Sequence, residues 1–133
     1  MHPKQHRNMS SPILNPAIPQ LPSGNLQVTE EFYRDRLGFT NFDLYLEHSH
    51  LIATRGPVEI HFWQAESEEE GRKYGSASSC YVRVENIQPL YEEFKASGAP
   101  FAYELTLQPW GMNEMQINDP YGNAIRFGEV VDA

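Results

Sequence analysis

Hydrophobic and polar residues recur along the chain with two periodicities, which predict helices and strands. Across residues 26–37 apolar side chains recur at helical spacing, and Gly38 follows, a residue type typical of helix ends. The same arrangement recurs over residues 86–97, which Gly98 follows. The pattern therefore predicts two helices of similar length, one in each half of the chain.

Shorter segments with apolar and aromatic residues lie between turn residues and predict strands. These segments span residues 13–18, 39–47, 50–54, 58–63, 79–84, 101–107, 112–117 and 124–129. The chain turns at Arg55-Gly56-Pro57 and at residues 118–123. Because proline cannot donate to a sheet ladder, Pro16 and Pro19 restrict the first strand to a sheet edge or to an arm exchanged between subunits.

Two stretches show neither the helical nor the strand periodicity. Residues 1–12 are polar and contain two prolines, and we expect a disordered tail there. Residues 64–78 are acidic and then rich in Gly and Ser, which predicts an exposed linker with a solvated run of glutamates. The remaining elements form a single domain over residues 13–133, with a first module at about 13–63 and a second at about 79–129.

The two modules repeat each other in the order of their elements and in some residues. Asn25-Leu26-Gln27 opens the first helix, and Asn86-Ile87-Gln88 opens the second. Each half alone is too small to bury a stable core, so the halves must pack against each other. The sequence predicts an α+β fold of two tandem βαβββ modules.

Composition and charge disfavour some classes of function. The chain has 133 residues and a formal net charge of −8, which disfavours nucleic acids and anionic membranes as partners. The same charge permits a cationic ligand or serves solubility alone. With Cys80 as its single cysteine, the chain forms no intrachain disulfide and no thiolate zinc cluster. Without a secretory leader or an apolar span, we expect a cytoplasmic protein.

Three segments resemble the vicinal-oxygen-chelate superfamily of glyoxalases, bleomycin-resistance proteins and dioxygenases. FYRDRLGF at residues 32–39 resembles its helix-to-strand segment, and NDPYGN at 118–123 resembles its C-terminal hairpin. QPWG at 108–111 is similar to the Trp-Gly segment of bleomycin-resistance proteins. The resemblance extends from about residue 17 to 129. It implies curled mixed sheets around a cavity, in a homodimer whose ligand site is built from two modules.

The resemblance also raises the question of a metal site. Metal-dependent relatives take ligands from the first and last strands of each module, positions that correspond here to Ile18, Glu59, Ser79 and Arg126. Glu59 alone is a good ligand, whereas Arg126 carries a permanent positive charge. We therefore expect no metal cofactor. Glu59 and Arg126 are instead candidates for a charge-assisted pair, within a chain or across a subunit boundary.

Period two within the strand at residues 58–63 places Glu59, His61 and Trp63 on one face, with Ile60 and Phe62 turned towards the helix. Glu59 and His61 together supply at most two metal ligands, so a polar cavity lining is the preferred interpretation. Trp63 fits either a ligand platform or a core or interface position.

The cavity would bind its ligand through rings and a few polar groups. The candidate ligand-binding residues are Trp110, Trp63, His61, Glu59, Tyr81, Arg126 and Phe42. The resemblance gives Trp110 a ligand-stacking role, although a core position is the alternative. No catalytic nucleophile motif stands out. The hypothesis is metal-independent sequestration of a flat, cationic antibiotic of the bleomycin type, without a chemical step. The alternatives are a metal-dependent enzyme of the superfamily (a glyoxalase-like lyase, dioxygenase or thiol transferase) and a domain that binds a small metabolite.

Overall fold

The chain folds into two four-stranded sheets with three α-helices, as described by a computed structural model for residues 10–131. The strands are β1 (Gln20–Ser23), β2 (Asn41–Tyr45), β3 (His50–Arg55), β4 (Val58–Gln64), β5 (Ser79–Arg83), β6 (Phe101–Leu107), β7 (Met112–Asn118) and β8 (Ala124–Val130). The helices are α1 (Leu26–Asp35), α2 (Glu68–Gly75) and α3 (Ile87–Ser97), and a 3₁₀ turn spans Leu46–His48. No helix among the described residues is long and apolar enough to cross a membrane.

The two sheets have the same topology. The first sheet has the order β1-β4-β3-β2, and the second has the order β5-β8-β7-β6. In each sheet the first strand runs parallel to its neighbour, and the other pairs are antiparallel. The predicted α+β fold of two βαβββ modules is confirmed.

Both modules contribute to one hydrophobic core. Its fully buried members include Tyr33, Leu37, Leu51, Ile60 and Phe62 from the first module and Phe94, Met115, Ile117 and Ile125 from the second. Burying a large apolar side chain contributes about 1.5–3 kcal/mol, so sharing the core stabilises both halves. We call the other side of each sheet its outer face, and these outer faces carry the polar and aromatic side chains discussed below.

The predicted first strand lies too early in the sequence. Residues 12–19 belong to no helix or strand, and β1 begins only at Gln20. The prolines interrupt ladder donors along this stretch, and the carbonyl of Pro19 accepts the first bond from His61 N, at 3.0 Å. Ile13 and Leu14 are exposed, Leu14 by 88%. Most of the predicted disordered tail, residues 1–9, lies outside the described residues.

The predicted linker contains a helix that the sequence analysis missed. Ser67 caps α2, since its Oγ accepts a hydrogen bond from Glu70 N at 3.0 Å. The glutamates occupy the first turn of α2, where negative charge stabilises a helix, so the acidic run is a helix N-terminus. The buried face consists of Gly71 and Gly75, and a Cβ on Gly75 would lie 1.9 Å from the carbonyl oxygen of Tyr121.

The turn between β7 and β8 joins the two modules. Asp119 is buried, and its Oδ2 accepts hydrogen bonds from Tyr33 Oη and Asn123 Nδ2, both at 2.8 Å. Its Oδ1 accepts from the backbone N of Tyr121 and Asn123. Asn123 Nδ2 also donates to the carbonyl of Pro22. Burial raises the pKa of Asp119, although these hydrogen bonds oppose the rise. A segment predicted only as a turn is thus a polar junction between modules.

Candidate ligand-binding site

The outer face of the second sheet carries side chains at opposed positions of three strands. Tyr81 on β5 pairs with Arg126 on β8, which pairs with Gln116 on β7. Arg126 Nε donates to Gln116 Oε1 at 2.9 Å. On the next rung Glu114 is opposite Gly128, which has no side chain there. A Cβ on Gly128 would lie 1.9 Å from Tyr81 Oη, so glycine leaves the room that Tyr81 needs to cross the strand.

These side chains line an open cleft of about 500 Å³. Its lining residues are Tyr81, Tyr103, Gln108, Trp110, Glu114 and Arg126. Trp110 lies in the turn between β6 and β7, where Gly111 takes a φ of +82° and its N donates to Gln108 O. The Trp110 side chain is 65% exposed, which excludes the alternative that it fills the core. The turn presents a large ring to solvent at the edge of the cleft.

A buried carboxylate connects the rings of the cleft. Glu114 is 3% exposed, and its Oε1 accepts from Tyr81 Oη at 2.8 Å and from Trp110 Nε1 at 3.4 Å. Its Oε2 accepts from Tyr103 Oη. Burial alone would raise the pKa of Glu114, but these donors and the charge of Arg126 outweigh it, so the pKa is lowered. Glu114 is therefore ionised at neutral pH.

The two tyrosines remain donors over the physiological pH range. Burial and the bond to Glu114 raise the pKa of Tyr81 to about 12, and the same causes raise the pKa of Tyr103. Ionising either hydroxyl would place a second negative charge beside the carboxylate. The cleft thus combines one carboxylate, held by three donor groups, with the guanidinium of Arg126.

The sequence analysis missed Glu114 and Tyr103. Period two along β7 places Glu114 on the same face as Gln116, and this part of the signal was available in the sequence. Tyr103 was harder to place, because register shifts on either side of it in β6 change which residues face outwards.

The outer face of the first sheet holds the other predicted group. His61 Nε2 lies 2.6 Å from Glu59 Oε2, and the His50 ring lies 4.9 Å from the His61 ring, edge to face. Trp63 packs beside Tyr74 of α2, with ring centroids 5.8 Å apart. These side chains form a half-exposed polar and aromatic surface, and the neighbouring Ile60 and Phe62 are buried as predicted.

Phe42 does not belong to this surface. It pairs with Ala53, which pairs with Ile60, so Phe42 lies on the core side of the first sheet. The Arg34 guanidinium covers its ring at 5.3 Å from the centroid. This position fits a core or wall residue, and a ligand contact of Phe42 stays a prediction.

The chain alone does not bring its two groups of predicted residues together. The cleft is lined by second-module residues, whereas Glu59 and Trp63 lie on the first sheet. Within one chain the expected pair between Glu59 and Arg126 does not form, because Glu59 contacts His61 and Arg126 contacts Gln116. A pair across a subunit boundary remains a prediction.

The four positions that correspond to metal ligands in relatives do not fit a metal ion. Ile18 lies just before β1 and offers no lone pair, and Arg126 adds a positive charge. Across residues 10–131, no group of three or more His, Cys, Asp or Glu side chains is placed to hold a metal. A protein ligand set of the usual size is therefore not assembled within one described chain.

Two βαβββ modules with one shared core and an open aromatic cleft define a class of paired-module α+β folds. The chain belongs to the Glyoxalase/Bleomycin resistance protein/Dioxygenase superfamily, whose family model matches residues 15–127. Bleomycin resistance proteins from Geobacillus stearothermophilus and Staphylococcus aureus are each 31% identical to it over 126 residues, covering 84% of this chain and 93% of theirs.

Solved structures show the same fold. A bleomycin resistance determinant encoded on the transposon Tn5 superposes with a TM-score of 0.73 at 25% identity, over 88% of this chain and 98% of the other. A bleomycin-binding protein complexed with bleomycin gives 0.72 at 24% identity, over 87% and 98%. A lactoylglutathione lyase from Agrobacterium tumefaciens gives 0.65 at 18% identity, over 89% and 95%. The fold thus occurs in both binding proteins and enzymes.

Proposed function

We propose that the protein binds and sequesters a flat, cationic molecule of the bleomycin type without transforming it. The observation that carries this proposal is the cleft in which Trp110, Tyr81 and Tyr103 surround the ionised Glu114. Flat heteroaromatic groups stack on exposed aromatic rings, and cations are attracted to the faces of such rings. The net charge of −8 favours the approach of a cation.

Several features favour binding over catalysis. The residues at the metal positions supply a poor ligand set, as described above. Cys80 is partly buried, and burial raises the pKa of its thiol to about 11, so it is not a thiolate nucleophile at neutral pH. The similarity to bleomycin resistance proteins supports the same ligand class. We also propose that the protein is located in the cytoplasm.

We infer that a second copy of the chain completes the site. The cleft draws only on second-module residues among those described, while Trp63, His61 and Glu59 lie on another surface. A homodimer that brings the first sheet of one protomer against the second sheet of its partner would unite the two groups. The exposed Ile13, Leu14 and Ile18 in the segment before β1 supply apolar surface for such a contact.

Calorimetric titration with metal-free bleomycin tests the function. We expect binding in the micromolar range for the wild type and at least roughly tenfold weaker binding for Trp110→Ala, which removes a stacking platform. Leu107→Ala is the matched control, because Leu107 is similarly exposed on the same hairpin but does not line the cleft. Light scattering on the same samples reports whether the binding species is a dimer.

Two results would overturn the proposal. One is the absence of heat and of fluorescence quenching when the wild type is titrated to millimolar bleomycin. The other is stoichiometric, tightly held iron, nickel or zinc in protein prepared without added metal, which would favour a metal-dependent enzyme.

A further inference from the structure

Three aromatic side chains of the cleft direct their polar atoms to the same carboxylate. Tyr81 comes from β5, Tyr103 from β6 and Trp110 from the turn that follows β6, and all three donate to Glu114 on β7. Side chains from three separate segments are thus tied to one point of the sheet.

Exposure shows which of these groups faces a ligand. Trp110 is 65% exposed and Tyr81 is 42% exposed, whereas Glu114 is 3% exposed. The carboxylate lies behind the rings and has little surface left for a bound molecule. It therefore acts on a ligand through the rings that it holds.

An exposed tryptophan on a turn would otherwise sample several rotamers, and each must be given up when a ligand stacks on the ring. The bond from Trp110 Nε1 to Glu114 Oε1, at 3.4 Å, restrains the orientation of the Trp110 indole in the ligand-free chain. Tyr81 is held in the same way from the other side, in the space that Gly128 leaves open. A carboxylate suits this task because its two oxygens accept several bonds at once.

We propose that Glu114 is the positioning residue that sets the aromatic wall of the cleft in its ligand-binding arrangement. This inference rests on the proposed function, in which the wall stacks on a flat cationic ligand. Glu114 is not itself a contact residue for the ligand.

The decisive variant is Glu114→Met, which keeps the length of the side chain and removes both acceptors. Glu104→Met is the matched control, because Glu104 on β6 likewise accepts a hydrogen bond from a tyrosine, Tyr91 of α3, but lies outside the cleft. Glu114→Gln retains one acceptor oxygen and serves as the conservative variant. Circular dichroism and thermal unfolding show whether each variant is folded.

The first measurement needs no ligand. In the Trp63→Phe background, Trp110 is the remaining tryptophan, and its fluorescence anisotropy and acrylamide quenching report the order of the ring. We expect Glu114→Met to lower the anisotropy and to increase quenching, Glu114→Gln to have a smaller effect, and Glu104→Met to have none. Unchanged anisotropy and quenching in folded Glu114→Met would overturn the inference.

The second measurement is the Kd for metal-free bleomycin. We expect Glu114→Met to weaken binding about tenfold, as for the loss of one hydrogen bond to a charged group, with partial recovery in Glu114→Gln. Unchanged affinity in Glu114→Met would also overturn the inference. If the wild type does not bind bleomycin, the proposed function fails, whereas the ligand-free measurement still decides whether Glu114 orders the ring. Should Glu114→Met not fold, Glu114→Gln replaces it in both measurements, and unchanged anisotropy, quenching and affinity in folded Glu114→Gln would overturn the inference.

Discussion

At the scale of single residues, the two helices that share the Asn-aliphatic-Gln motif are capped in different ways. Asn25 has extended backbone, and its Oδ1 accepts from Gln27 N and Val28 N at 3.0 and 3.2 Å. Asn86 has a φ of +63° and no side-chain capping bond. Glu129 of β8 caps α3 instead, accepting from Asn86 N and Ile87 N. The same residue types thus start two helices through a local contact in one case and a distant contact in the other.

Replacing this distant cap predicts a pH-dependent loss of stability. The two backbone hydrogen bonds lower the pKa of Glu129 in the folded protein. A lowered carboxyl pKa stabilises the fold above the ordinary carboxyl pKa, and the benefit disappears as the pH falls through the lower, folded pKa. We therefore expect Glu129→Gln to lower the melting temperature at pH 7 and to match the wild type in acid. Calorimetry across this range measures the difference, and Glu66→Gln at an exposed position is the control. A pH-independent difference would contradict the prediction.

The candidate site shows what sequence reasoning can place at this scale. Trp110 was placed through a motif, and Glu59, His61 and Trp63 through period two within one strand. For Phe42 the sequence left a core and a cavity position open, because its face depends on pairing with β3, which the sequence does not fix. Glu114 was missed because its importance arises from three donors that only the folded chain brings together. The sequence thus predicted which side chains share a face within one strand, but it did not predict which residues of different strands meet.

At the scale of elements, α2 shows why a helix can escape detection by hydrophobic pattern. Its buried face is made of Gly71 and Gly75, which add no hydrophobic signal. The close approach of α2 to Gly24 and Tyr121 requires this absence of side chains. Helices α1 and α3 bury large apolar residues and were predicted nearly to their observed ends. The helices that pack through large apolar side chains were thus predictable from the sequence, and the helix that packs through glycines was not.

Replacing Gly75 with alanine is therefore expected to destabilise the protein, although Gly→Ala substitutions within helices usually stabilise. In an exposed helix interior, Gly→Ala stabilises a protein by about 0.5–1 kcal/mol. A Cβ on Gly75 would meet the Tyr121 carbonyl at 1.9 Å, so α2 must shift away from the turn between β7 and β8. We expect Gly75→Ala to destabilise by about 1–3 kcal/mol in urea unfolding, as overpacking does. Lys73→Ala, exposed on the same helix, should change stability by no more than about 0.5 kcal/mol. Equal or greater stability of Gly75→Ala would contradict the observed packing.

At the scale of the whole molecule, the repeat explains the topology but not how the halves are joined. The shared core holds them together without specifying their relative position, since apolar contacts are not directional. Asp119 supplies directional contacts, because it accepts hydrogen bonds from Tyr33 Oη of the first module and from two backbone N–H groups of its own turn. The same turn reaches back to Pro22 through Asn123. A motif identified by resemblance thus has a structural role in joining the modules.

This junction predicts that the modules unfold together. In Asp119→Asn an amide NH₂ replaces one carboxylate oxygen, and each oxygen accepts from two donors, so two buried donors lose their acceptor. We expect a loss of about 2 kcal/mol or more, against about 1 kcal/mol for Tyr33→Phe, which removes a single donor. Urea unfolding of the Trp63→Phe and Trp110→Phe variants lets the remaining tryptophan report each module separately. Because the core and the junction couple the modules, Asp119→Asn should lower both midpoints equally. A shift confined to the second module would show that Asp119 only stabilises its own turn.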